Sequence, residues 1–204
     1  MPQKTLILAS NSARRRLLLA QAGYRFQCAP AKIAEPEPAG GESSPEQWAQ
    51  ALAYFKAREV ADRCGPGHVV LGADTVVALG SQTFGKAETA EQARATLATL
   101  SHNPHRVITS LALIDTDTDR RLIDFEVSQV TMKPMSNDQI EDYVQSGSWQ
   151  DKAGAYALQE GADKYVTQIV GSYDNVVGLP VTLARQMLAA FGIHPESPFV
   201  KAGV

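Results

Sequence analysis

The apolar run "HVVLGADTVVALG" at residues 68–80 constrains the fold more than any other stretch of this chain. Its β-branched residues predict a strand, and Gly80 and Ser81 predict a turn that returns the chain through "QTFGK". Further strands are predicted at residues 4–9, 24–29, 105–115, 121–133 and 165–171. Because short turns join some neighbouring strands and helices separate others, the pattern favours a mixed sheet over an all-parallel one.

Capping signals predict the helices between these strands. Ser44, Pro45 and Gln47 have the pattern of a capped helix start, and Thr89 and Ser136 begin further helices in the same way. Helices are also predicted near the two ends of the chain. We therefore predict an α/β fold (mixed α+β), in which helices flank a twisted mixed sheet. No linker or internal repeat divides the chain, so one domain is expected over residues 1–204.

The composition excludes several classes of function. The net charge of −3 and the pI near 5.8 argue against non-specific binding of nucleic acid, which depends on neutralising phosphates. The chain has two cysteines, Cys28 and Cys64, and their spacing excludes a disulfide framework and a zinc finger. No secretory pattern and no bilayer-spanning apolar stretch occurs. We expect a cytoplasmic protein whose partners include neither a nucleic acid polymer nor a membrane.

The stretch "LASNSARRR" at residues 8–16 places Arg14, Arg15 and Arg16 where a helix begins. Cations in the first turn are disfavoured by about 0.3–1 kcal/mol each, because that end of a helix favours anions. Ser10 and Ser12 add small hydroxyl groups beside the guanidinium groups. Together these groups have the chemistry of a phosphate-binding site. The alternative is a basic turn that is simply solvated, and the stretch alone does not separate the two.

Two charged residues interrupt patterns that are otherwise apolar. Asp74 lies with Thr75 inside the apolar run, and a buried carboxylate must be paired, bind a metal or act as a base. The alternative is a carboxylate that accepts hydrogen bonds from backbone amides at a strand end. Lys56 shares a helical stripe with small or apolar residues, so its amine either reaches the surface or points into a cleft toward an anion.

A glycine-rich turn supplies a further candidate cation. The segment "GSQTFGKA" at residues 80–87 fits the phosphate-loop pattern GxxxxGK, but Ala87 stands where a hydroxyl should hold Mg²⁺. Its flanks favour a hairpin, from which Lys86 can still contact phosphate as a point charge.

The segment "DKAGAYALQEGA" at residues 151–162 concentrates small residues between Lys152 and Gln159. Small residues allow a ligand to approach the backbone, and a glutamine can read the edge of a nucleobase through paired hydrogen bonds. A tight loop with a surface lysine is the alternative. His105 opens a predicted strand, and we expect it to be a hydrogen-bonded structural residue and not a catalyst.

Taken together, these motifs resemble the Maf family of nucleotide pyrophosphatases, once described as septum-formation inhibitors. The resemblance spans nearly the whole chain, through "LASNSARR", Glu35, Lys56 in "FKARE", "GADTVV", "GK" at 85–86, "HRVIT", "DKAGAYALQ" and "GSYDNVVGLP". It implies two lobes around a deep cleft, similar to the fold of the pyrophosphatases that remove non-standard purine triphosphates. It also implies a homodimer that hydrolyses a nucleoside triphosphate to monophosphate and pyrophosphate with a divalent cation, Mg²⁺ or Mn²⁺.

The resemblance also implies roles for individual residues. The triphosphate would be held by Ser10, Arg14, Arg15, Lys56 and Lys86, and the metal and the attacking water by Glu35 and Asp74, while Ser12 and Lys152 are further candidates for substrate binding. Asp74 matches the position of the proton acceptor, although the sequence does not separate a base from a metal ligand. Arg14, Thr75 and Gln159 match positions that distinguish nucleobases, and the pattern is that of the dTTP and UTP branch. The alternative is a nucleotide-binding regulator of cell division whose catalysis is vestigial.

Overall fold

The structure is a computed structural model that describes residues 4–33 and 43–196. Within these residues the chain forms seven strands: β1 (Thr5–Leu8), β2 (Gln27–Cys28), β3 (His68–Leu79), β4 (Gln82–Phe84), β5 (His105–Asp115), β6 (Arg121–Met132) and β7 (Val166–Val170). The same residues form six α-helices: α1 (Ala13–Gln21), α2 (Pro45–Cys64), α3 (Ala90–Ser101), α4 (Asn137–Gln145), α5 (Tyr173–Val177) and α6 (Val181–Ala189). Short 3-10 turns occur at Leu158–Glu160 and Asp163–Tyr165.

The strands form one mixed sheet in the order β2-β1-β3-β5-β6-β7, with β4 paired to β3. Strand β1 runs parallel to both β2 and β3, whereas β3 and β4 are antiparallel, as are β6 and β7. The predicted mixed α/β class is therefore confirmed.

The predicted capping residues are confirmed at α2, α3 and α4, and at α3 the Thr89 hydroxyl accepts a hydrogen bond from the Gln92 N–H. In α2 the Ser44 hydroxyl accepts a hydrogen bond from the Gln47 backbone N–H, and the Gln47 side chain accepts one from the Ser44 N–H. In α4, Ser136 and Gln139 form the same reciprocal pair. Each box satisfies two backbone groups that the start of a helix would otherwise leave unpaired.

One predicted strand was wrong in extent, and one helix was not predicted. The strand predicted at residues 24–29 is present only as β2, because the Tyr24 backbone N–H bonds back to the Leu19 carbonyl at the end of α1 and is unavailable to a sheet. Helix α5 was not predicted, since five residues are too few to show a helical period. Its start is capped by the Ser172 hydroxyl, which accepts a hydrogen bond from the Asn175 N–H.

Contacts between Cα atoms divide the chain into two compact units. Unit 1 contains the described residues of Met1–Asp74, Thr109–Glu126 and Gly178–Val204. Unit 2 contains Thr75–Ile108 and Val127–Val177. Strands β3, β5 and β6 each contribute residues to both units, so the chain passes between the units within regular strands.

The core of unit 1 packs helix α2 against the sheet. Gly72 of β3 lies so close to α2 that a Cβ atom there would be 2.3 Å from the Ala53 carbonyl oxygen and 2.7 Å from the Ala57 nitrogen. Only a residue without a side chain permits this approach. The apolar cluster around this contact comprises Ile7, Ala9, Ala53, Ala57, Val60, Ala61, Val70, Ala112 and Ile114.

Unit 2 has a separate apolar cluster that joins α3, α4 and β6 to the segment after α4. Trp149 is a buried member of this cluster, and its indole N–H donates to the Val144 carbonyl at 3.0 Å. The larger buried members of this cluster are Val77, Leu97, Leu100, Val107, Val130, Met132, Met135, Ile140, Tyr143, Val144, Trp149, Tyr156, Leu158 and Tyr165.

A partly buried ion pair lies at the C-terminal end of β5 in unit 1. The Lys4 amine lies 2.6 Å from Asp115 Oδ1 and 2.9 Å from Asp117 Oδ2. Burial alone would raise the pKa of Asp115, but the hydrogen bonds from Lys4 and the backbone outweigh it and lower the pKa.

Among the described helices, none has the length and apolarity needed to span a bilayer.

We expect the substitution Gly72→Ala to destabilise the protein by about 3 kcal/mol, because the new methyl group would meet the backbone of α2, which cannot move aside as a flexible side chain could. Urea denaturation would measure the loss. Gly85→Ala is the control, since a Cβ atom there meets no atom within 4 Å. A wild-type unfolding midpoint for Gly72→Ala would contradict the close packing of α2 on β3.

Candidate active site

The segment between β1 and α1 is organised by two serine hydroxyls. The Ser12 backbone N–H donates to Ser10 Oγ at 3.2 Å, and Ser12 Oγ in turn accepts from the Arg15 N–H and caps α1. Ser10 itself is buried. Ser12 is therefore the N-cap of α1, and the hydroxyl groups of both serines have fixed positions.

Arg15 is tied into the same segment by its side chain. Its Nε donates to the Gly178 carbonyl at 2.8 Å, and one terminal nitrogen donates to Ser10 Oγ at 3.4 Å. Gly178 belongs to the "GSYDNVVGLP" motif, so Arg15 joins two of the motifs that the sequence singled out.

Helix α1 has no acidic residue in its first turn, where Arg14, Arg15 and Arg16 lie. Arg14 is partly buried and Arg16 is exposed. With the backbone N–H groups of the helix start, this end of α1 combines positive charge with hydrogen-bond donors. Such a combination is suited to an anion.

Lys56 and Asp74 form a buried ion pair in unit 1. The Lys56 amine lies 2.6 Å from Asp74 Oδ1, and the two side chains are 12% and 9% exposed. Lys56 lies in α2 next to Ala57, and Asp74 lies two residues after Gly72 in β3. The close approach of α2 and β3 at Gly72 therefore brings the amine to the carboxylate.

Unit 2 carries the other predicted residues within the described chain. Thr75 follows Asp74 in β3 and is partly buried, and Lys86 follows β4 and is exposed. Lys152 is partly buried, and its amine donates to the Gln150 carbonyl at 3.1 Å. Gln159 lies exposed in the 3-10 turn Leu158–Glu160. Glu35 lies outside the described residues.

The segment "GSQTFGKA" is a hairpin, as its flanks predicted. Val77–Leu79 of β3 pairs antiparallel with Gln82–Phe84, whereas a phosphate loop would lead from a strand into a helix. The phosphate-loop alternative is therefore wrong.

Beyond the hairpin, the backbone brings Lys86 beside the segment that carries Lys152. Lys86 and Ala153 form an isolated antiparallel bridge. The Gly154 N–H is shared between the carbonyls of Phe84 and Gly85, at 3.2 and 3.0 Å. Lys86, which was predicted to bind phosphate, and Lys152, which was predicted to bind substrate, thus lie on backbone segments that are hydrogen-bonded to each other.

Unit 2 also contains a buried polar pair that the sequence did not reveal. His105 Nδ1 donates to the Asn103 carbonyl at 3.0 Å, and Nε2 accepts from the Tyr156 hydroxyl at 2.9 Å. The Asn103 carbonyl can only accept, which assigns the proton to Nδ1. His105 is a hydrogen-bonded structural residue, as expected, but its partner Tyr156 carried no local signal.

The Asp74 carboxylate is an oxygen donor suited to a divalent metal. Mg²⁺ takes oxygen ligands and is often held by one or two carboxylates together with substrate phosphates. The Asp74 carboxylate is buried and fits that mode. In residues 4–33 and 43–196, no group of three or more His, Cys, Asp or Glu side chains is placed so that it could hold a metal ion.

The fold and these side chains define a class of protein. It is a mixed α/β protein in which arginines, lysines and hydroxyls suited to phosphate accompany a buried carboxylate–lysine pair. The chain belongs to the family of Maf-like proteins, whose model matches residues 5–191. The resemblance that the motifs indicated is therefore confirmed.

The chain aligns with two relatives over most of both lengths. It is 42% identical to the dTTP/UTP pyrophosphatase of Symbiobacterium thermophilum over 187 residues, which are 92% of this chain and 94% of that protein. It is 40% identical to the dTTP/UTP pyrophosphatase of Alkaliphilus oremlandii over 178 residues, 87% of this chain and 91% of that protein.

A solved structure shares the fold at low sequence identity. The Staphylococcus aureus Ham1 protein superposes with a TM-score of 0.50 over 92% of this chain and 100% of that chain, at 13% identity. At this identity the likeness concerns the fold alone.

Burial lowers the pKa of His105 from its ordinary value of 6.5. As the pH falls below that value, the unfolded chain binds a proton that the folded protein does not, so stability falls. Between pH 7 and pH 5.5 this group makes the free energy of unfolding of the wild type fall by at most about 1.4 kcal/mol per pH unit. We expect His105→Gln to remove this contribution. Urea denaturation at a series of pH values would measure it.

The matched control for this experiment is His102→Gln, because His102 is exposed at the end of α3. This variant should keep the slope of the wild type. Equal slopes in the wild type and in His105→Gln would contradict a neutral, buried His105.

Proposed function

We propose that this protein hydrolyses dTTP and UTP to the nucleoside monophosphate and pyrophosphate. The observation that carries the proposal is the buried pair of Lys56 and Asp74, 2.6 Å apart, in the unit that also contains the serines and arginines at the start of α1. Membership of the Maf-like family and the names of relatives at 40–42% identity support the same reaction.

In this proposal the cationic side chains bind the triphosphate. Arg14, Arg15, Lys86 and Lys152 neutralise phosphate charge, while Ser10 and Ser12 supply hydrogen bonds. Arginine suits this task because its fork of N–H groups matches phosphate oxygens, whereas lysine acts as a point charge. Phosphoryl transfer needs little beyond such positioning and charge neutralisation, together with a water molecule in line with the leaving group.

Asp74 is the proposed proton acceptor. It takes a proton from the water whose oxygen forms a bond to the α-phosphorus, and the bond from that phosphorus to the bridging oxygen breaks to release pyrophosphate. Lys56 contacts Asp74 Oδ1 and so fixes the orientation of the carboxylate. A base that is held in place by a partner needs less reorganisation when the proton moves.

A divalent cation, Mg²⁺ or Mn²⁺, is part of the proposal. Asp74 and Glu35 would hold it together with phosphate oxygens. When bound, such a cation neutralises phosphate charge and favours ionisation of a coordinated water.

Gln159 is the proposed reader of the nucleobase, assisted by Arg14 and Thr75. A glutamine amide has both an acceptor oxygen and a donor nitrogen, so it can pair with the adjacent acceptor and donor on the edge of uracil or thymine. The resemblance to the family also supports a homodimer, and action on the nucleotide pool supports a cytoplasmic location.

We expect Asp74→Asn to reduce turnover of dTTP by about 10²–10⁴-fold, the range for loss of a general base. Binding of the nucleotide should persist, because the phosphate-binding side chains are unchanged. Product assays that separately quantify monophosphate, pyrophosphate and orthophosphate would measure turnover, and calorimetry would measure binding.

Asp115→Asn is the matched control for this variant. Asp115 is also a buried carboxylate of unit 1 that is paired with a lysine, Lys4, but it lies outside the proposed site. The control should lose stability and keep turnover. Near-normal turnover in Asp74→Asn would exclude Asp74 as the base. Tight nucleotide binding without turnover in the wild type would favour the alternative of a nucleotide-binding regulator of cell division.

The base-reading role predicts a change in selectivity for Gln159→Ala. We expect the ratio of kcat/KM for UTP to that for CTP to fall by about tenfold, because the two nucleotides differ only at the base edge that the amide would contact. Steady-state kinetics with both nucleotides would measure the ratio. Gln168→Ala, at an exposed position of β7, should leave the ratio unchanged. An unchanged ratio in Gln159→Ala would exclude base reading by Gln159.

A further inference from the structure

The segment from Lys152 to Gln159 has little regular structure, yet it is hydrogen-bonded to the rest of unit 2 along its length. Its beginning is attached to the β4 turn through the Lys86–Ala153 bridge and the shared Gly154 N–H. Its end forms the 3-10 turn that contains Gln159. A segment that only connected α4 to β7 would not need so many attachments.

Two backbone features show that the segment has one particular conformation. Gly154 has a φ of +70°, and a Cβ atom there would lie 2.9 Å from Val77 Cγ2 and 3.2 Å from Leu100 Cδ1. The next residue, Ala155, is fully buried and has a φ of 58°, a region that non-glycine residues seldom occupy. Such a conformation persists only where the surroundings enforce it.

The first enforcing contact is the pair of His105 and Tyr156. Both side chains are buried, the Tyr156 hydroxyl donates to His105 Nε2 at 2.9 Å, and the rings meet edge to face with centroids 5.5 Å apart. His105 begins β5, a strand of the central sheet. The contact therefore anchors the middle of the segment to the sheet.

The second enforcing contact comes from α4. The Tyr143 hydroxyl accepts a hydrogen bond from the Ala157 backbone N–H at 3.1 Å, and both groups are buried. Ala157 is the residue before the 3-10 turn, and its carbonyl accepts from the Ala162 N–H at 3.2 Å. Both backbone groups of Ala157 are thus occupied two residues before Gln159.

We propose that Tyr143 and the His105–Tyr156 pair are positioning residues for selection of the nucleobase, because their buried contacts hold the backbone from which Gln159 projects. The inference rests on the proposed function, in which Gln159 reads the base. None of the three side chains is assigned a contact with the substrate. Discrimination by paired hydrogen bonds requires that the Gln159 amide be held in place before the base binds. A mobile backbone would let the amide adjust to either base and would reduce the difference in binding free energy between them.

The experiment uses Tyr156→Phe and Tyr143→Phe, each of which removes one hydroxyl and keeps the ring. We expect the ratio of kcat/KM for UTP to that for CTP to fall by about fivefold in each variant, the effect of one lost positioning hydrogen bond. The kcat for CTP should stay within about twofold of the wild type, because phosphate binding and Asp74 are untouched. Steady-state kinetics and thermal melting would be measured for every variant.

Ser101→Ala is the matched control, because it also removes a buried hydroxyl hydrogen bond within unit 2, the one to the Ala98 carbonyl. It should lower the melting temperature by a similar amount and leave the ratio of UTP to CTP unchanged. At the other partner, His105→Gln keeps a side-chain amide that can accept from Tyr156, and His105→Ala does not. We expect His105→Gln to retain more of the selectivity than His105→Ala.

The outcomes separate this inference from the proposed function. If Gln159→Ala lowers the ratio and the tyrosine variants keep it at the wild-type value, the positioning role is overturned and base reading stands. If the wild type has no preference for UTP over CTP, both base reading by Gln159 and the positioning role are overturned. Where a variant does not fold, amide hydrogen exchange of the wild type decides. Protection at residues 153–159 before nucleotide is added supports the inference, and exchange at the rate of unstructured peptide overturns it.

Discussion

The close contact between α2 and β3 at Gly72 is the constraint on which the candidate active site depends. It exists because the strand residue has no side chain and the helix presents Ala53 and Ala57 at the crossing. The helix axis then lies near enough for the Lys56 amine to reach Asp74 within the protein interior. A charged pair is tolerated there because the attraction between the two groups offsets the hydration that each loses on burial. Burial of the carboxylate without a partner would be strongly unfavourable. One methyl group at Gly72 would thus disturb both the core of unit 1 and the proposed base.

The serines and arginines at the start of α1 illustrate how local instability and ligand binding are related. A first turn with three arginines and no acidic residue is unfavourable in isolation. The structure compensates part of this within the protein, since Ser12 caps the helix and Arg15 reaches the Gly178 carbonyl. In the proposed function, substrate phosphates would supply the opposing charge. Departures from local sequence rules are expected at sites of function, and this helix start is such a departure.

Much of the fold could be predicted because its signals are local. The capping boxes at Ser44 and Ser136 depend on side chains three residues apart, and the β3–β4 hairpin depends on a turn at Gly80. The failures have local causes that the sequence does not display. Strand β2 is short because α1 takes the Tyr24 N–H, and α5 is too short to have a detectable period. The candidate site was partly visible for the same reason, since Asp74 and Lys56 are charged residues in otherwise apolar patterns.

The sequence by itself determined the class of fold, the positions of the helix starts and the residue types suited to phosphate, because these follow from spacing along one segment. Only the tertiary structure decided which of them meet. The contacts of Lys56 with Asp74, Arg15 with Gly178 and His105 with Tyr156 join residues that are far apart in the chain. Such contacts depend on how the elements pack, and packing is set by shape and burial over the whole of each unit. For that reason no local pattern around Tyr156 or Tyr143 could have indicated the hydrogen bonds that hold the segment before Gln159.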